Sequence, residues 1–261
     1  MELTSPLHLS ALLNAAAPAA WLAIAATFAV AGMVKGVSGL GLPTVALGLL
    51  GLFMHPGEAA ALLIVPSLVT NVWQLLAGRH LLPLAGRLWP MLAGICGGTW
   101  LGGWLLSGKD LSWAGNALGI ALISYALTGL SALKLSIPQR RERLLSPLVG
   151  LLTGCVTAMT GVFVIPAVPY LQAMDLDKED LVQSMGLAFT CSTIALATNL
   201  ACAGDFQATA AASSFLAVIP ALVGMALGQW IRGRISLATF RKFFFSSLFL
   251  LGAHLALRSW W

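Results

Sequence analysis

One short stretch of the chain, KGVSGLGLP at residues 35–43, combines residue types that could bind an anion. It places a lysine, a serine and three glycines inside an apolar run that ends at a proline. Glycine lets backbone N–H groups approach a ligand closely, and a helix that begins at proline presents free N–H groups and a partial positive charge. We therefore expect Lys35, Gly36, Ser38 and Gly39 to contact an anion.

The same residues also permit a second interpretation, in which Ser38 is a nucleophile. The G-x-S-G spelling around Ser38 and an Ala-His pair at His254 resemble the motifs of rhomboid intramembrane proteases. A serine with a histidine base suffices for acyl chemistry. However, Ser38 lies in the first apolar run, whereas a rhomboid serine falls late in the core, and the histidine follows 216 positions later. The protease is therefore the less favoured alternative.

A second interrupted stretch, TAMTGVFVIP at residues 157–166, is similar to the first. Both place glycines about one or two helical turns ahead of a proline. Irregular backbone at membrane depth persists only where protein or water satisfies its polar groups. We therefore expect both stretches to face a central cavity, with Thr160 and Gly161 opposite the lysine stretch.

Polar side chains inside the other apolar runs extend this prediction. Asn71 and Gln74 are three positions apart and share a helical face, so we expect both to line the anion site. A later run carries a further polar set: Gln183, Ser184, Thr190, Ser192, Thr193 and Asn199. Taken singly, each is explained by hydrogen bonding between membrane helices, whereas taken together they indicate a polar lining.

The bulk composition identifies the setting of these residues. The chain has 261 residues, of which 59% are hydrophobic and 9% are charged, and its mean hydropathy is +0.90. A soluble domain averages about 25% charged residues. Continuous apolar runs predict an all-α integral membrane protein rather than a barrel. Its four cysteines show no C-x-x-C spacing, so we expect no metal site and no cofactor.

The apolar runs predict the number and arrangement of the helices. Six runs fit simple spans, at residues 59–77, 88–106, 113–133, 180–203, 208–231 and 243–257. Two longer runs, 21–53 and 146–174, are the interrupted ones, and re-entrant arms of roughly 12–15 residues would reach past the membrane midplane. We predict two membrane repeats, residues 1–135 and 146–261, joined by a basic linker at residues 136–145.

The positive charges favour one arrangement of these repeats. They fall in three groups: Arg79 with Arg87; Lys134, Arg140, Arg141 and Arg143; and Arg232, Arg234, Arg241 and Lys242. If the interrupted runs are hairpins, each half crosses three times, the halves are inverted and all three groups lie in the cytoplasm. If all eight runs cross once, the third group lies on the opposite side. The net charge of +5 is therefore explained by basic residues in the loops between the helices, and no nucleic-acid partner is expected.

The glycine-rich break that ends in proline, GVSGLGLP, its repeat TGVFVIP, and the three spans after each resemble the TauE/SafE sulfite-exporter family. The resemblance covers the chain from about residue 20 onward. It implies a multi-pass protein of the bacterial inner membrane that transports small sulfur-containing anions such as sulfite, sulfoacetate or organosulfonates. It implies no enzymatic activity, and the chain carries no G-x-x-x-x-G-K-[ST] phosphate loop for ATP-driven transport.

The mechanism expected from this resemblance is secondary transport with the substrate at the midplane between the two broken helices. The partners are then the anionic substrate and the lipid bilayer. A channel for small anions or neutral solutes is the main alternative, because the same cavity would serve it. The sequence leaves the identity of the anion, the direction of transport and the oligomeric state open, a homo-oligomer included.

Overall fold

The structure, a computed structural model, describes residues 18–107, 113–131, 136–204 and 208–257. Within these ranges the chain forms ten α-helices and no strand, in agreement with the predicted all-α class. One of the charged residues discussed above, Lys134, lies outside the described residues, as do both ends of the chain.

The helices follow one another in the order long, short, long, long, long, and this order occurs twice. The first five are α1 (Pro18–Ser38), α2 (Leu42–Leu50), α3 (Pro56–Leu76), α4 (Leu81–Leu106) and α5 (Ala114–Ser131). The next five are α6 (Gln139–Thr160), α7 (Ala167–Ala173), α8 (Lys178–Ala203), α9 (Ala208–Arg232) and α10 (Leu237–Leu257).

Seven of the described long helices (α1, α3, α5, α6, α8, α9 and α10) are long and apolar enough to cross a membrane. The remaining long helix, α4, has 26 residues. The six simple spans are thus present as helices, but α4 and α10 begin at Leu81 and Leu237, earlier than their apolar runs. An apolar run measures the part that contacts hydrocarbon, whereas helical hydrogen bonding continues into the polar interface.

Both interrupted runs break where the glycines predicted, but their arms are unequal. The first consists of 21 residues in α1 and nine in α2, and the second of 22 in α6 and seven in α7. The prediction of arms of about 12–15 residues was therefore wrong. In the second run the cause is plain, because α6 begins at Gln139 and its first turns use the polar residues of the predicted linker. Almost every residue of the two short helices is buried.

The two breaks have the same backbone geometry. Gly39 and Gly161 both adopt left-handed backbone angles, with φ of 76° and 73°. The Gly39 amide donates to the carbonyl of Lys35 at 2.7 Å, and the Gly161 amide donates to that of Thr157 at 2.8 Å. Any other L-residue would be strained here by roughly 1–2 kcal/mol, so each glycine is required as a helix terminator.

The hydroxyl before each of these glycines also plays the same part in both breaks. Ser38 Oγ accepts a hydrogen bond from the amide of Leu40 at 3.2 Å. Thr160 Oγ1 accepts one from the amide of Val162 at 3.1 Å. Each hydroxyl therefore satisfies a backbone donor that the end of the helix leaves without an intrahelical partner.

The long helices meet along seams of glycine, and the first seam joins α1 to α9. A Cβ atom built on Gly32 would lie 2.1 Å from the carbonyl oxygen of Ala221, and one on Gly36 would lie 2.2 Å from that of Met225. On the other side, one on Gly228 would lie 2.1 Å from the carbonyl oxygen of Met33. The backbones are thus in direct contact. Both sides of the seam advance by four residues in the same direction, so α1 and α9 are parallel.

A second glycine seam joins α4 to α6 in the same way. A Cβ on Gly150 would lie 2.1 Å from the carbonyl oxygen of Met91, and one on Gly154 would lie 2.3 Å from that of Ile95. These helices are therefore also parallel. Glycines four apart are the usual device for close approach of membrane helices, where lipid offers no hydrophobic drive for association.

The remaining contacts fix the relative directions of the other long helices. Asn71 bonds to Thr193, while four residues further along α3 the carbonyl of Leu75 bonds to Gln183, so α3 and α8 are antiparallel.

Two further helix pairs are oriented by the same kind of evidence. Gly119 approaches Gly252 while Gly129 accepts hydrogen bonds from Arg241, so α5 and α10 are antiparallel. Cys191 contacts the carbonyl of Leu92 and Asn199 that of Thr99, so α4 and α8 are parallel.

Candidate functional site

The centre of the candidate site is the Lys35 ammonium near the end of α1. Lys35 is 5% exposed. Its Nζ donates to Thr70 Oγ1 at 3.1 Å and to Asn71 Oδ1. In the part of the chain that the structure describes, no carboxylate forms an ion pair with it. Removing an ammonium from water costs several kcal/mol, so a cation held only by neutral groups is an expensive arrangement.

Asn71 links the lysine to the opposite side of the site. It is fully buried, and while its Oδ1 accepts from Lys35, its Nδ2 donates to Thr193 Oγ1 at 3.3 Å. Thr70 and Thr193 donate their own hydroxyl protons to backbone carbonyls of their helices, at 2.8 and 2.7 Å. One network therefore connects α1, α3 and α8, and it positions the ammonium.

Two further polar groups on α3 lie on the same helical face as Asn71 and have uncommitted atoms. Ser67 is 1% exposed, and its Oγ has no hydrogen-bond partner among the residues that the structure describes. Gln74 donates its amide to the carbonyl of Val182 at 3.0 Å, but within the same residues its Oε1 has no partner. Buried polar atoms are normally satisfied by protein or water, so these two atoms indicate room for a solvent molecule or a ligand. The hydroxyls of Ser184 and Ser192 of α8 are likewise buried, and neither has a partner in the described part of the chain.

The structure gives several of the other predicted site residues a packing or capping role. Gly36 faces the α9 backbone at Met225. Ser38 Oγ lies 2.8 Å from the carbonyl oxygens of Val34 and Leu40, so its proton is used within its own turn. Gly39 has open space beside it, since nothing lies within 4 Å of the position that its Cβ would take.

The predicted residues of the second break are placed in the same manner. Thr160 donates to the carbonyl of Val156 at 2.7 Å, in its own helix. A Cβ on Gly161 would contact Leu47 of α2 at 3.1 Å and Ala60 of α3 at 3.4 Å. The structure thus brings Lys35, Asn71 and Gln74 together by way of α3. No recorded contact joins Thr160 or Gly161 to the lysine.

Ser67, Thr70 and Thr193 complete the polar site, although none of them was predicted from the sequence to bind the anion. Ser67 and Thr70 lie four and one positions before Asn71 on the same apolar run. Stepping back four positions from Asn71 and from Gln74, which is about one helical turn, would have found Ser67 and Thr70 respectively. In the sequence, Thr193 is one member of the polar set in a later apolar run. Its pairing with Asn71 could not be predicted, because it depends on how α3 and α8 meet.

The geometry offers no support for a catalytic serine. Ser38 makes its hydrogen bonds to backbone groups of its own turn, and none joins it to His254 within the described residues. His254 is an exposed residue of α10.

A belt of polar contacts ties the ends of the helices together at the α3–α4 turn. His80 Nδ1 lies 2.7 Å from Asp180 Oδ1, and the hydrogen bond with this carboxylate raises the pKa of His80 above its ordinary value of 6.5. Gln183 accepts from the amide of His80 at 3.0 Å. A second contact of this kind joins Arg87 of α4 to Glu142 of α6, which form a bidentate pair at 2.9 and 2.7 Å.

A helical bundle with seven described helices able to cross a bilayer, and with a buried lysine among polar groups, has the features of a multi-pass membrane protein. The family model for the sulfite exporter TauE/SafE matches residues 24–255, and the chain belongs to that family. No curated protein and no solved structure matches it. The family is one of membrane transporters, which agrees with the prediction of an anion carrier.

Proposed function

We propose that the protein is a secondary transporter of small sulfur-containing anions, and that Lys35 is the residue that holds the anion. The observation that carries this proposal is the buried ammonium of Lys35, whose recorded partners among the described residues are all neutral. An anion would provide the missing counter-charge. Thr70 and Asn71 orient the ammonium, while Ser67 Oγ and Gln74 Oε1 are free to bind oxygen or hydroxyl groups of the substrate.

The charge of the site supports a substrate with a single negative charge. Lys35 is the cation of the network, and the other polar groups there are hydroxyls and amides. A monoanion such as hydrogensulfite or an alkyl sulfonate leaves the occupied site neutral, whereas a dianion leaves one buried charge uncompensated. Gln74 Oε1 is an acceptor, so it suits a substrate that brings a proton or a bound water.

An internal duplication of the chain supports the proposed site, because corresponding residues meet there. Lys35, Gly39 and Asn71 have Thr157, Gly161 and Thr193 as counterparts, each at a constant offset of 122 positions. Asn71 and Thr193 are themselves hydrogen-bonded. A contact between corresponding residues is expected at the axis that relates two repeats. We infer that residues 1–135 and 146–261 are such repeats.

The helix directions support an inverted arrangement of these repeats. α3 and α8 are antiparallel, while α4 is parallel to α6 and to α8. If every long helix crossed once in succession, α3 and α8 would be parallel and α4 and α8 would be antiparallel. Both expectations are the opposite of the observed directions. The observed directions follow if the chain returns through α2 and through α7, so that each break is a hairpin.

This arrangement places the three basic groups on one side, which we propose is the cytoplasm. In this arrangement the short helices α2 and α7, in which most residues are buried, are the returning arms of the two hairpins. Alternating access is then a rocking of one half against the other around the Lys35 site. A channel would use the same cavity without that motion, and it stays the second candidate.

The test is ligand binding to the purified protein in detergent, measured by thermal shift. The panel is sulfite, sulfate, thiosulfate, taurine, sulfoacetate and an aryl sulfonate at constant ionic strength. A ligand at 100 times its dissociation constant stabilises by about 2.7 kcal/mol. We expect the shift to be lost in Lys35→Met and kept in Lys178→Met, which removes an exposed lysine instead.

The possible results separate the two candidates. A shift that persists unchanged in Lys35→Met would remove this residue from the anion site. No shift with any anion in well-folded protein would favour the channel for neutral solutes. Uptake into proteoliposomes that saturates and is competed by a second anion indicates a carrier, whereas a very high unitary rate indicates a channel.

A further inference from the structure

A groove of about 890 Å³ lies between the first turns of α4 and α6, apart from the lysine site. It is lined by residues of these two helices: Gly86, Arg87, Trp89, Pro90, Ala93 and Gly94 from α4, and Gln139, Glu142, Arg143, Ser146 and Pro147 from α6. The lining therefore combines charged and amide groups with apolar ones, so the groove is amphipathic.

One part of the groove offers a cation. Arg87 is neutralised by its bidentate pair with Glu142. Arg143 is exposed, and no hydrogen bond or ion pair is recorded for it among the residues described. The side chains of Arg87, Glu142 and Arg143 together give the groove a net charge of +1. A guanidinium binds a phosphate in a planar, bidentate manner, and this suits Arg143 to a phosphodiester.

The groove also offers two backbone acceptors without their helical donors. Pro90 and Pro147 have no N–H group, so the carbonyls four residues earlier, those of Gly86 and Arg143, lack the usual bond. Both carbonyls belong to residues that line the groove. Acceptors beside a cation match a headgroup that carries hydroxyl donors next to its phosphate.

The surroundings of the groove are those of a lipid-facing surface. Trp89 on its wall is 64% exposed, and Leu144 and Leu148 on the same stretch of α6 are 78% and 52% exposed. Large apolar side chains exposed to this degree on a membrane helix contact hydrocarbon. A tryptophan beside charged residues marks the level of the headgroups. The groove therefore opens where lipid headgroup and acyl chain meet.

We propose that this groove is a binding site for an anionic phospholipid whose headgroup bears hydroxyls, the chemistry of phosphatidylglycerol. Arg143 binds the phosphate, the carbonyls of Gly86 and Arg143 accept from the headgroup hydroxyls, and an acyl chain lies along Trp89. The lipid would bridge α4 and α6, which belong to different proposed repeats. The proposed topology determines which leaflet of the membrane provides this lipid. The binding site itself does not depend on the topology.

The experiment measures lipid binding to the detergent-purified protein by native mass spectrometry. The probes are dioleoyl-phosphatidylglycerol, dioleoyl-phosphatidylcholine and glycerol 3-phosphate, which carries the phosphate without acyl chains. The variants are Arg143→Gln and, as matched control, Arg140→Gln, which removes an exposed arginine outside the groove lining. We expect phosphatidylglycerol to bind preferentially, and Arg143→Gln to weaken that binding by about tenfold. Arg140→Gln should bind as the wild type does.

Three results would overturn the proposal. Equal binding of the two lipids would remove the selectivity for an anion. Equal losses in both arginine variants would show general surface attraction rather than a site. Binding of glycerol 3-phosphate at the affinity of the lipid would identify a site for a soluble phosphate. Because Lys35→Met should still bind phosphatidylglycerol, failure here is distinguishable from failure of the anion site.

Discussion

Lys35 shows how a single basic residue is accommodated in an interior that disfavours charge. Its ammonium has two neutral oxygen partners, and one of them, Asn71, is itself held by Thr193. Such a residue lowers the stability of the empty protein, because its desolvation is only partly offset by hydrogen bonds. A functional site can tolerate this cost when the ligand removes it.

A double-mutant cycle tests this view of the network. Asn71→Leu removes the acceptor and leaves the ammonium less satisfied, so we expect destabilisation by about 2 kcal/mol or more. Lys35→Met alone should be neutral or stabilising. The double variant should then be more stable than Asn71→Leu, as measured by thermal unfolding in detergent. Equal stability of Asn71→Leu and the double variant would contradict a charge-driven effect.

The His80–Asp180 contact predicts a dependence of stability on pH. The hydrogen bond with the carboxylate raises the pKa of His80, so the folded protein binds this proton more tightly than the unfolded chain does. The stabilisation is fully present below the ordinary histidine pKa of about 6.5 and is lost as pH rises through the raised value.

The matched variant for this prediction is His80→Gln, which keeps a polar side chain. The difference in Tm between wild type and variant should be largest near about pH 6 and should vanish at about pH 9. A difference that is the same at both pH values would show that the contact acts without a charge.

Residue chemistry was predicted from the sequence in part. Lys35 and Asn71 were identified because polar groups are conspicuous in an apolar run. Gly36 was assigned to the anion, yet it contacts α9. The sequence does not distinguish a glycine that makes room for a ligand from one that makes room for a neighbouring helix. Only the packed structure does.

At the scale of elements, the glycine seams determine which helices stay together. In membranes the gain comes from close contact of backbones rather than from burial of apolar area. Each of the pairs α1–α9 and α4–α6 joins a helix of one proposed repeat to a helix of the other. Rocking of the repeats must therefore pivot about these seams rather than separate them. Glycines spaced by four are visible in the sequence, but their partner helix is not, because one small face fits another equally well.

Gly32→Ala tests the tightness of the first seam. Its Cβ would lie 2.1 Å from a backbone oxygen of Ala221, which cannot move as a side chain can. We expect a loss of about 1–3 kcal/mol from the forced separation. Thermal unfolding or the yield of folded protein in detergent measures it.

The control for this substitution is Gly97→Ala on α4. Nothing lies within 4 Å of the Cβ position of Gly97, so the same change meets no obstacle. Replacing glycine by alanine in a helix without strain stabilises by about 0.4–1 kcal/mol. If both variants lost stability equally, the seam would not be the cause.

At the scale of the whole molecule, the proposed topology predicts which positions are reachable from each side. In a background without the native cysteines, Gln139→Cys and Arg234→Cys should be shielded from a membrane-impermeant maleimide in intact cells. Ser107→Cys, at the other end of α4, should be labelled. Opposite behaviour of the Gln139 and Arg234 positions would support eight successive crossings instead of two hairpins.

A thiol pair offers a test of motion between the halves. Cys96 of α4 and Cys191 of α8 have their sulfur atoms 3.4 Å apart, and they belong to different proposed repeats. Bridging them with a mercuric ion should stop anion flux if the halves rock at this contact, while Cys96→Ala should be insensitive. Flux that continues through the bridged protein would favour the channel.

The overall architecture was predictable where it depends on local signals, such as the apolar runs and the Gly39 and Gly161 breaks. The unequal arms were not predictable. The polar turns at Gln139 look like a linker by composition, but they are helical because they pack at the end of the bundle, where Glu142 pairs with Arg87.

The seam between α1 and α9 also bears on how the protein is made. α1 leaves the ribosome first among the described helices, and Gly228 follows Gly36 by roughly 190 residues, which is about 10–40 s of synthesis at 5–20 residues per second. During that interval the glycine face of α1 has no partner and must be covered by lipid or by the insertion machinery. The halves therefore mature together, and each one made alone would expose a helix that the other is built to receive.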